Sequence, residues 1–232
     1  KAFIYGLPAE FSPGQQVKYS DFGYVLLGWI LEELVGDLES YGREHIFSLL
    51  GMRDTCFNPG KKGLAHRCVP TERTGDRGII CAEVHDGKAW RLGGVSGNAG
   101  LFAPAADLER FVRMLLNGGE LEGARILSPS TMRLLQKCYT EGLSQRRTLG
   151  WICSDREALP GDYCSERCLF HTGFTGTSIY VDFARRCGVI LLTNRIHPER
   201  DNRHIFEIRR RAHNLALLDA DNQKRKEGAE WP

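Results

Sequence analysis

From about residue 148 the apolar residues of this chain leave helical spacing and gather into short runs parted by tight polar breaks. The runs 149–153, 168–172, 178–183 and 188–193 read as strands. The short links after 172 and 183 favour antiparallel hairpins. One break stands out: Leu169-Phe-His-Thr-Gly-Phe-Thr-Gly-Thr-Ser178 puts an imidazole, threonines and two glycines between apolar flanks. Glycine lets another chain or a ligand approach the backbone closely, so a polar, glycine-rich break between strands is either a site wall or a plain hairpin. The run 189–192 is continuously apolar, which predicts a central strand covered on both faces.

Ahead of the sheet the chain is helical. Residues 1–18 read as loop, broken by Pro8, Pro13 and Gly14. A helix follows from Phe22 to Gly36, with Ser20 or Asp21 as its N-cap. It is apolar nearly all round, which predicts burial. Tyr19 sits just before its positive end, where a phenolate is favoured, or simply packs at the helix start. A second helix spans 38–50, residues 53–91 are irregular, and His85-Asp86 reads as a surface pair. A segment that long inside a compact domain is usually functional or poorly ordered.

Gly93-Gly-Val-Ser-Gly-Asn-Ala-Gly100 leads into a helix with Pro104 near its start and Gly118-Gly119 at its end. It lacks the G-x-G-x-x-G spacing and preceding strand of a dinucleotide site. Ser128 caps a short helix with Pro129 at its first position. A last helix covers 203–218 with Ile205, Ile208, Ala212 and Leu215 on one face and 209–211 mostly toward solvent, before a polar tail at 219–232 that is expected to be disordered.

Composition narrows the partners. With 31 Lys+Arg against 29 Asp+Glu the net charge is +2, which points to neither nucleic acid nor an anionic membrane surface. No apolar run reaches the roughly 18 residues of a membrane span. The eight cysteines are scattered without a C-x-x-C pair and read as mostly reduced and partly buried. Cys164, Cys168 and His171 lie close together, yet no fourth ligand follows at a finger's spacing, so no metal is expected. A Cys–His hydrolase using Cys168 and His171 is disfavoured, since such pairs are seldom neighbours in sequence.

Three segments now align: Tyr19-Ser20-Asp21 opening a helix, Gly97-Asn98-Ala-Gly-Leu-Phe102 before another, and His171-Thr172-Gly173 on a strand. With Tyr24-x-x-Leu27-Gly28, Leu50-Gly-Met52-x-x-Thr55, Leu115-Leu-Asn-Gly-Gly119 and Leu191-Leu-Thr-Asn194, the set resembles the β-lactamase-related serine hydrolases. These include class C β-lactamases, esterases, D-aminopeptidases and penicillin-binding proteins. The resemblance covers residues 5 to about 218 and implies an α+β, β-lactamase/transpeptidase-like domain over 1–218. A helical region (about 19–147) would precede an antiparallel sheet and terminal helix (about 148–218).

It further implies that Tyr19 moves protons during acyl transfer, with Asp21 where the family usually has Asn and His171 where many members have Lys. Thr172, Gly173 and Asn98 would hold substrate, and the Phe174 N–H would form half of an oxyanion hole. A histidine supplies less fixed charge than lysine at neutral pH, which suits an esterase or peptidase better than a penicillinase. The implied substrate is a small ester, amide or peptide, with neither metal nor organic cofactor.

The family's nucleophile is a serine in Ser-x-x-Lys, and none of the eleven serines here has Lys three residues on. Ser40, Ser130 and Ser144 meet Arg43, Arg133 and Arg147 at that distance, and arginine does not deprotonate in a protein. Only 18 residues precede Tyr19, so the chain is expected to be the later part of the domain, lacking the first strands and the nucleophile helix. A missing N-terminal segment would pack on the sheet, whose run 189–192 otherwise presents an open apolar edge. The alternative is a degenerate, non-catalytic member that serves as a binding module. The compartment is not readable.

Overall fold

The structure, a computed structural model, describes residues 1–154, 160–198 and 200–226. In chain order the helices are α1 (Ala2–Tyr5), α2 (Asp21–Val35), α3 (Leu38–Gly42), α4 (Gly87–Arg91), α5 (Ala105–Leu116), α6 (Pro129–Leu135) and α7 (Ile205–Lys226). The strands are β1 (Cys56–Phe57), β2 (Glu72–Thr74), β3 (Gly78–Ile80), β4 (Leu101–Phe102), β5 (Glu120–Leu121), β6 (Ala124–Arg125), β7 (Ile152–Cys153), β8 (Cys168–Thr172), β9 (Ser178–Asp182) and β10 (Cys187–Leu191).

The four C-terminal strands form one antiparallel sheet in the order β10-β9-β8-β7. Pairing across the glycine-rich break joins Thr172 to Ser178 and Phe170 to Tyr180. The strand period of two splits the side chains between two layers. Ile179, Val181 and Ile190 pack with Val112, Met114 and Leu115 of α5 and with Leu50, Met52 and Met132. Cys168, Phe170, Tyr180 and Val189 pack on the opposite face with Leu217 of α7. Both faces of the sheet are therefore covered, but β10 is an edge strand, paired among the described residues with β9 alone. The central position expected for 189–192 is corrected: continuous apolarity reports two covered faces and says nothing of a neighbour on each side.

Ser20 is the N-cap of α2, its hydroxyl accepting from the Gly23 N–H at 3.1 Å, and Gly36 ends the helix at φ +80°. Ser128 caps α6 in the same way. The expected burial of α2 is not found. Val25 and Trp29 are buried, while Leu27 is 52%, Ile30 55% and Leu34 75% exposed. The helix docks along one narrow line, where Gly28 meets the loop at Gly97. A Cβ on Gly28 would lie 2.9 Å from the Gly97 nitrogen, and one on Gly97 would overlap the Tyr24 carbonyl oxygen.

Other expectations shift in detail. The segment 1–18 carries α1, and 53–91 contains β1 to β3 and α4. The second helix passes from α3 into a π-helical turn over Arg43–Phe47. The buried line of α7 is Ile205, Arg209, His213 and Leu217. Ile208 and Leu215, expected inside, are 46% and 68% exposed. Arg209 and His213 are buried because each finds acceptors: the Gly173 and Thr177 carbonyls for Arg209, the Pro160 carbonyl and the Ser178 hydroxyl as partners of His213. α7 also continues past residue 218 to Lys226, pinned where Arg185 meets Asp221 at 3.0 Å, and 227–232 lie outside the described residues.

The glycine contact between α2 and the 93–100 loop gives a direct test. We expect Gly97→Ala to lower stability by at least about 2 kcal/mol in urea unfolding, as forced overpacking does. Gly75→Ala, with open space around its Cβ, should stay close to the parent.

Candidate functional site

The break between β8 and β9 is a tight turn that needs its glycines. The Gly173 N–H donates to the Thr177 carbonyl at 2.8 Å, and a Cβ at Gly173 would overlap the Thr177 hydroxyl. Gly176 adopts φ +125° and lies against Thr193 and the Arg195 nitrogen. The segment after β10 then ties the turn down. The Arg195 N–H donates to the Thr175 carbonyl at 2.9 Å and the Thr193 hydroxyl to the Gly176 carbonyl at 2.7 Å. From below, the buried guanidinium of Arg209 donates to the Gly173 and Thr177 carbonyls, both at 2.8 Å.

This leaves the Phe174 N–H unclaimed by any described group. The Phe174 carbonyl accepts from Arg195 Nε at 2.8 Å, and its ring is 56% exposed. His85 stacks on that ring with centroids 5.7 Å apart, and the guanidiniums of Arg195 and Arg200 lie 4.7 and 5.6 Å from its centre. Behind His85, its Nε2 meets the buried Glu72 carboxylate at 2.6 Å. Arg200 donates to the same carboxylate, and Arg200 first, then His85, hold Glu72 below the usual carboxylate range.

His171 is half-buried on β8, with Nδ1 3.1 Å from the Thr172 carbonyl. Burial above all, opposed by that backbone contact and aided by the charge of Arg147, pushes its imidazole below the ordinary 6.5. His171 is accordingly neutral at pH 7 and provides no fixed cation. Thr172 is exposed at the end of the strand.

The second group of residues surrounds the start of α2. Tyr19 is 62% exposed, and its hydroxyl faces the Asp21 carboxylate. Partial burial first, then Asp21, raise the phenol above 10.0, with Arg147 acting against them. Burial first and the Asp21 carboxylate second thus disfavour the phenolate, in line with the plainer reading of a tyrosine packed at the helix start. Asp21 pairs with Lys88 at 2.8 Å. Asp86, two residues before Lys88, caps α4 and accepts from Asn98 Nδ2 at 3.2 Å. The Ser96 hydroxyl reaches Asn98 Oδ1 at 2.8 Å.

Asp21 and Asn98 thus join one hydrogen-bonded network through Lys88 and Asp86, with Tyr19 at its end. His171, Thr172, Gly173 and Phe174 form the sheet side. Arg147 acts on both Tyr19 and His171, because the chain folds back there in an Arg147–Ile152 bridge beside β7. The dipeptide His85-Asp86 also serves both sides, and the surface-pair reading is corrected: its loop packs inward on Glu72 and Phe174.

Sequence reasoning missed Glu72, His85, Lys88, Arg147, Arg195 and Arg209. The only signal was the length of the 53–91 segment; the arginine run 209–211 read as solvated because only every fourth residue of α7 turns inward. Among the described residues no three His, Cys, Asp or Glu side chains gather closely enough to hold a metal.

The sequence profile of the Beta-lactamase family matches residues 1–213, and the chain belongs to that family of β-lactamase-related serine hydrolases. It is 32% identical over 228 residues to an N-acetylmuramyl-L-alanine amidase of Bacillus subtilis (strain 168), covering 88% of this chain and 51% of that protein. It is 33% identical over 224 residues to the "Putative D-alanyl-D-alanine carboxypeptidase" of Escherichia coli (strain K12), covering 86% and 51%. The chain spans about half the length of these relatives.

Simvastatin synthase from Aspergillus terreus shares the fold at a TM-score of 0.68, with 20% identity, over 94% of this chain and 61% of its own. The octameric penicillin-binding protein homologue from Pyrococcus abyssi does so at 0.65, with 22% identity, over 90% and 44%. These likenesses bear out the α+β, β-lactamase/transpeptidase-like architecture.

The charge around Tyr19 can be checked by titration. We expect Asp21→Asn to lower the Tyr19 phenol toward 10.0 in ultraviolet titration, read as the difference from Tyr19→Phe. Arg147→Gln should raise it. An unchanged phenol in Asp21→Asn would show that burial alone sets the shift.

Proposed function

We propose that the protein to which this chain belongs cleaves an ester or amide through an acyl-serine intermediate. The observation that carries the reading is the unclaimed Phe174 N–H on a turn fixed by Arg195, Thr193 and Arg209. A donor held rigid before the reaction stabilises a developing oxyanion without reorganising. Tyr19, kept protonated, is placed to deliver a proton to a leaving group, with Asp21 and Lys88 setting its orientation. Thr172, Gly173 and Asn98 line the substrate's path. Family membership supports the same chemistry, and the names of the relatives point to peptide or amide bonds. His171, neutral at pH 7, fits an esterase or peptidase better than a penicillinase.

The nucleophile is the part this chain does not contain. We place it on a preceding Ser-x-x-Lys segment of the longer protein, packed beside the open edge of β10. The outward Leu27, Ile30 and Leu34 of α2 offer such a segment further apolar surface. The chain by itself is then inactive. A serine-directed fluorophosphonate should leave the isolated chain unlabelled and label the full-length gene product at one upstream serine. Stoichiometric labelling of the isolated chain would overturn this assignment, and an upstream sequence without Ser-x-x-Lys would favour a non-catalytic binding module.

A further inference from the structure

All eight cysteines are free thiols, and away from the site two of them meet where the chain enters β8. Cys168 is the first residue of that strand and is buried, packed with Tyr180 and Leu217. Cys164 is half-buried just ahead of it and rests on the same layer, its thiol in hydrogen-bonding contact with that of Cys168. The bend between them is built. Ser165 donates to the fully buried Asp182 carboxylate twice, through its N–H at 3.2 Å and its hydroxyl at 2.9 Å. The Arg167 carbonyl accepts from the Phe183 N–H at 2.9 Å. The two cysteines are therefore held together from the end of β9 rather than by a free loop.

Their surroundings give them different tasks. Contact with the Cys168 thiol above all, opposed by burial, then the backbone N–H of Cys164 and the Ser154 hydroxyl, opposed by the charge of Asp182, lower the Cys164 thiol to about 7. The same contact first, and burial second, raise Cys168. A thiol near neutrality is largely the nucleophilic thiolate, whereas a buried, protonated one is inert. Burial raises Cys56 and Cys68, takes Cys187 to about 11 and takes Cys153 to about 12. Cys153 touches another thiol, that of Cys138, beside a cavity of about 120 Å³, but it has no thiolate to offer.

We propose that Cys164 and Cys168 form a thiol–disulfide exchange site for small-molecule disulfides, Cys164 attacking and Cys168 resolving. The Cys164 thiolate attacks one sulfur of the disulfide. A mixed disulfide forms, and one small thiolate leaves with the electron pair of the broken bond. Cys168, no longer facing a negative sulfur, releases its proton to solvent and attacks the Cys164 sulfur. The Cys164–Cys168 bond forms, and the second small thiolate leaves; both leaving groups take protons from solvent. Two protein thiols are oxidised and one disulfide is reduced to two thiols. Only Cys164 has to meet the reagent, so the burial of Cys168 is no obstacle.

The test uses the full-length gene product at neutral pH with oxidised glutathione as the disulfide. Samples are quenched over time with N-ethylmaleimide in urea, and unreduced tryptic peptides are weighed by mass spectrometry. Trypsin cuts after Arg167, so the two cysteines fall on separate peptides that only their disulfide joins. We expect this joined pair to accumulate first, with Cys164 consumed at least about tenfold faster than Cys56, Cys68, Cys153 or Cys187. Cys168→Ser should stop at glutathione on Cys164, and Cys164→Ser should leave Cys168 unmodified over the same time. Modification of another cysteine before Cys164 overturns the proposal. So does glutathione that stays on Cys164 in the parent, or a Cys164 that never reacts. The order of labelling in the parent decides the matter even where a serine variant fails to fold.

Discussion

The site side of this domain hangs on one buried guanidinium. Arg209 lies within α7, 8% exposed, and reaches through to two carbonyls of the β8–β9 turn. Burying such a charge without a counter-ion is costly, and burial together with the nearby Arg195 makes Arg209 easier to deprotonate than usual, though it remains cationic. The carbonyls offset that cost because hydrogen bonds from an ionised donor are about twice as strong as neutral ones. The result is a loop anchored directly to a buried position of α7. A glycine-rich turn would otherwise have few ties; here hydrogen bonds join it to the helix and to the 193–195 segment.

That construction explains which parts of the fold were legible in the sequence. Local rules found the strands of the hairpin, the Ser20 and Ser128 caps and the glycine stop at Gly36, because each depends on residues within one or two turns. They also found the polar turn with Phe174. What they missed is non-local. No rule of spacing brings Glu72 beneath His85, 13 residues on within one irregular segment, or His85 onto Phe174, which lies in the sheet about ninety residues away. Arg209 was misjudged for a related reason: an arginine in a basic run looks solvated until its acceptors are known, and those acceptors belong to a turn in another element.

The α2 helix fails expectation in the opposite sense. An all-apolar helix should lie inside, and the residues that do so are the ones facing the glycine contact with the 93–100 loop. The remaining leucines and isoleucines form a second apolar stripe with no described partner. The expectation of burial holds for one face of the helix only, and the rest of its apolar surface is surplus among the described residues. Family membership, with the chain spanning about half of its relatives, gives that surplus a coherent meaning that composition alone could not.

One small feature ties the two sides of the site together. His85 leans on the sheet through Phe174, while Asp86, its immediate neighbour, holds the helical side through Asn98. Consecutive Cα atoms across a trans peptide are always about 3.8 Å apart. The two sides of the site thus meet at neighbouring residues, through a ring stack on one side and a hydrogen bond on the other.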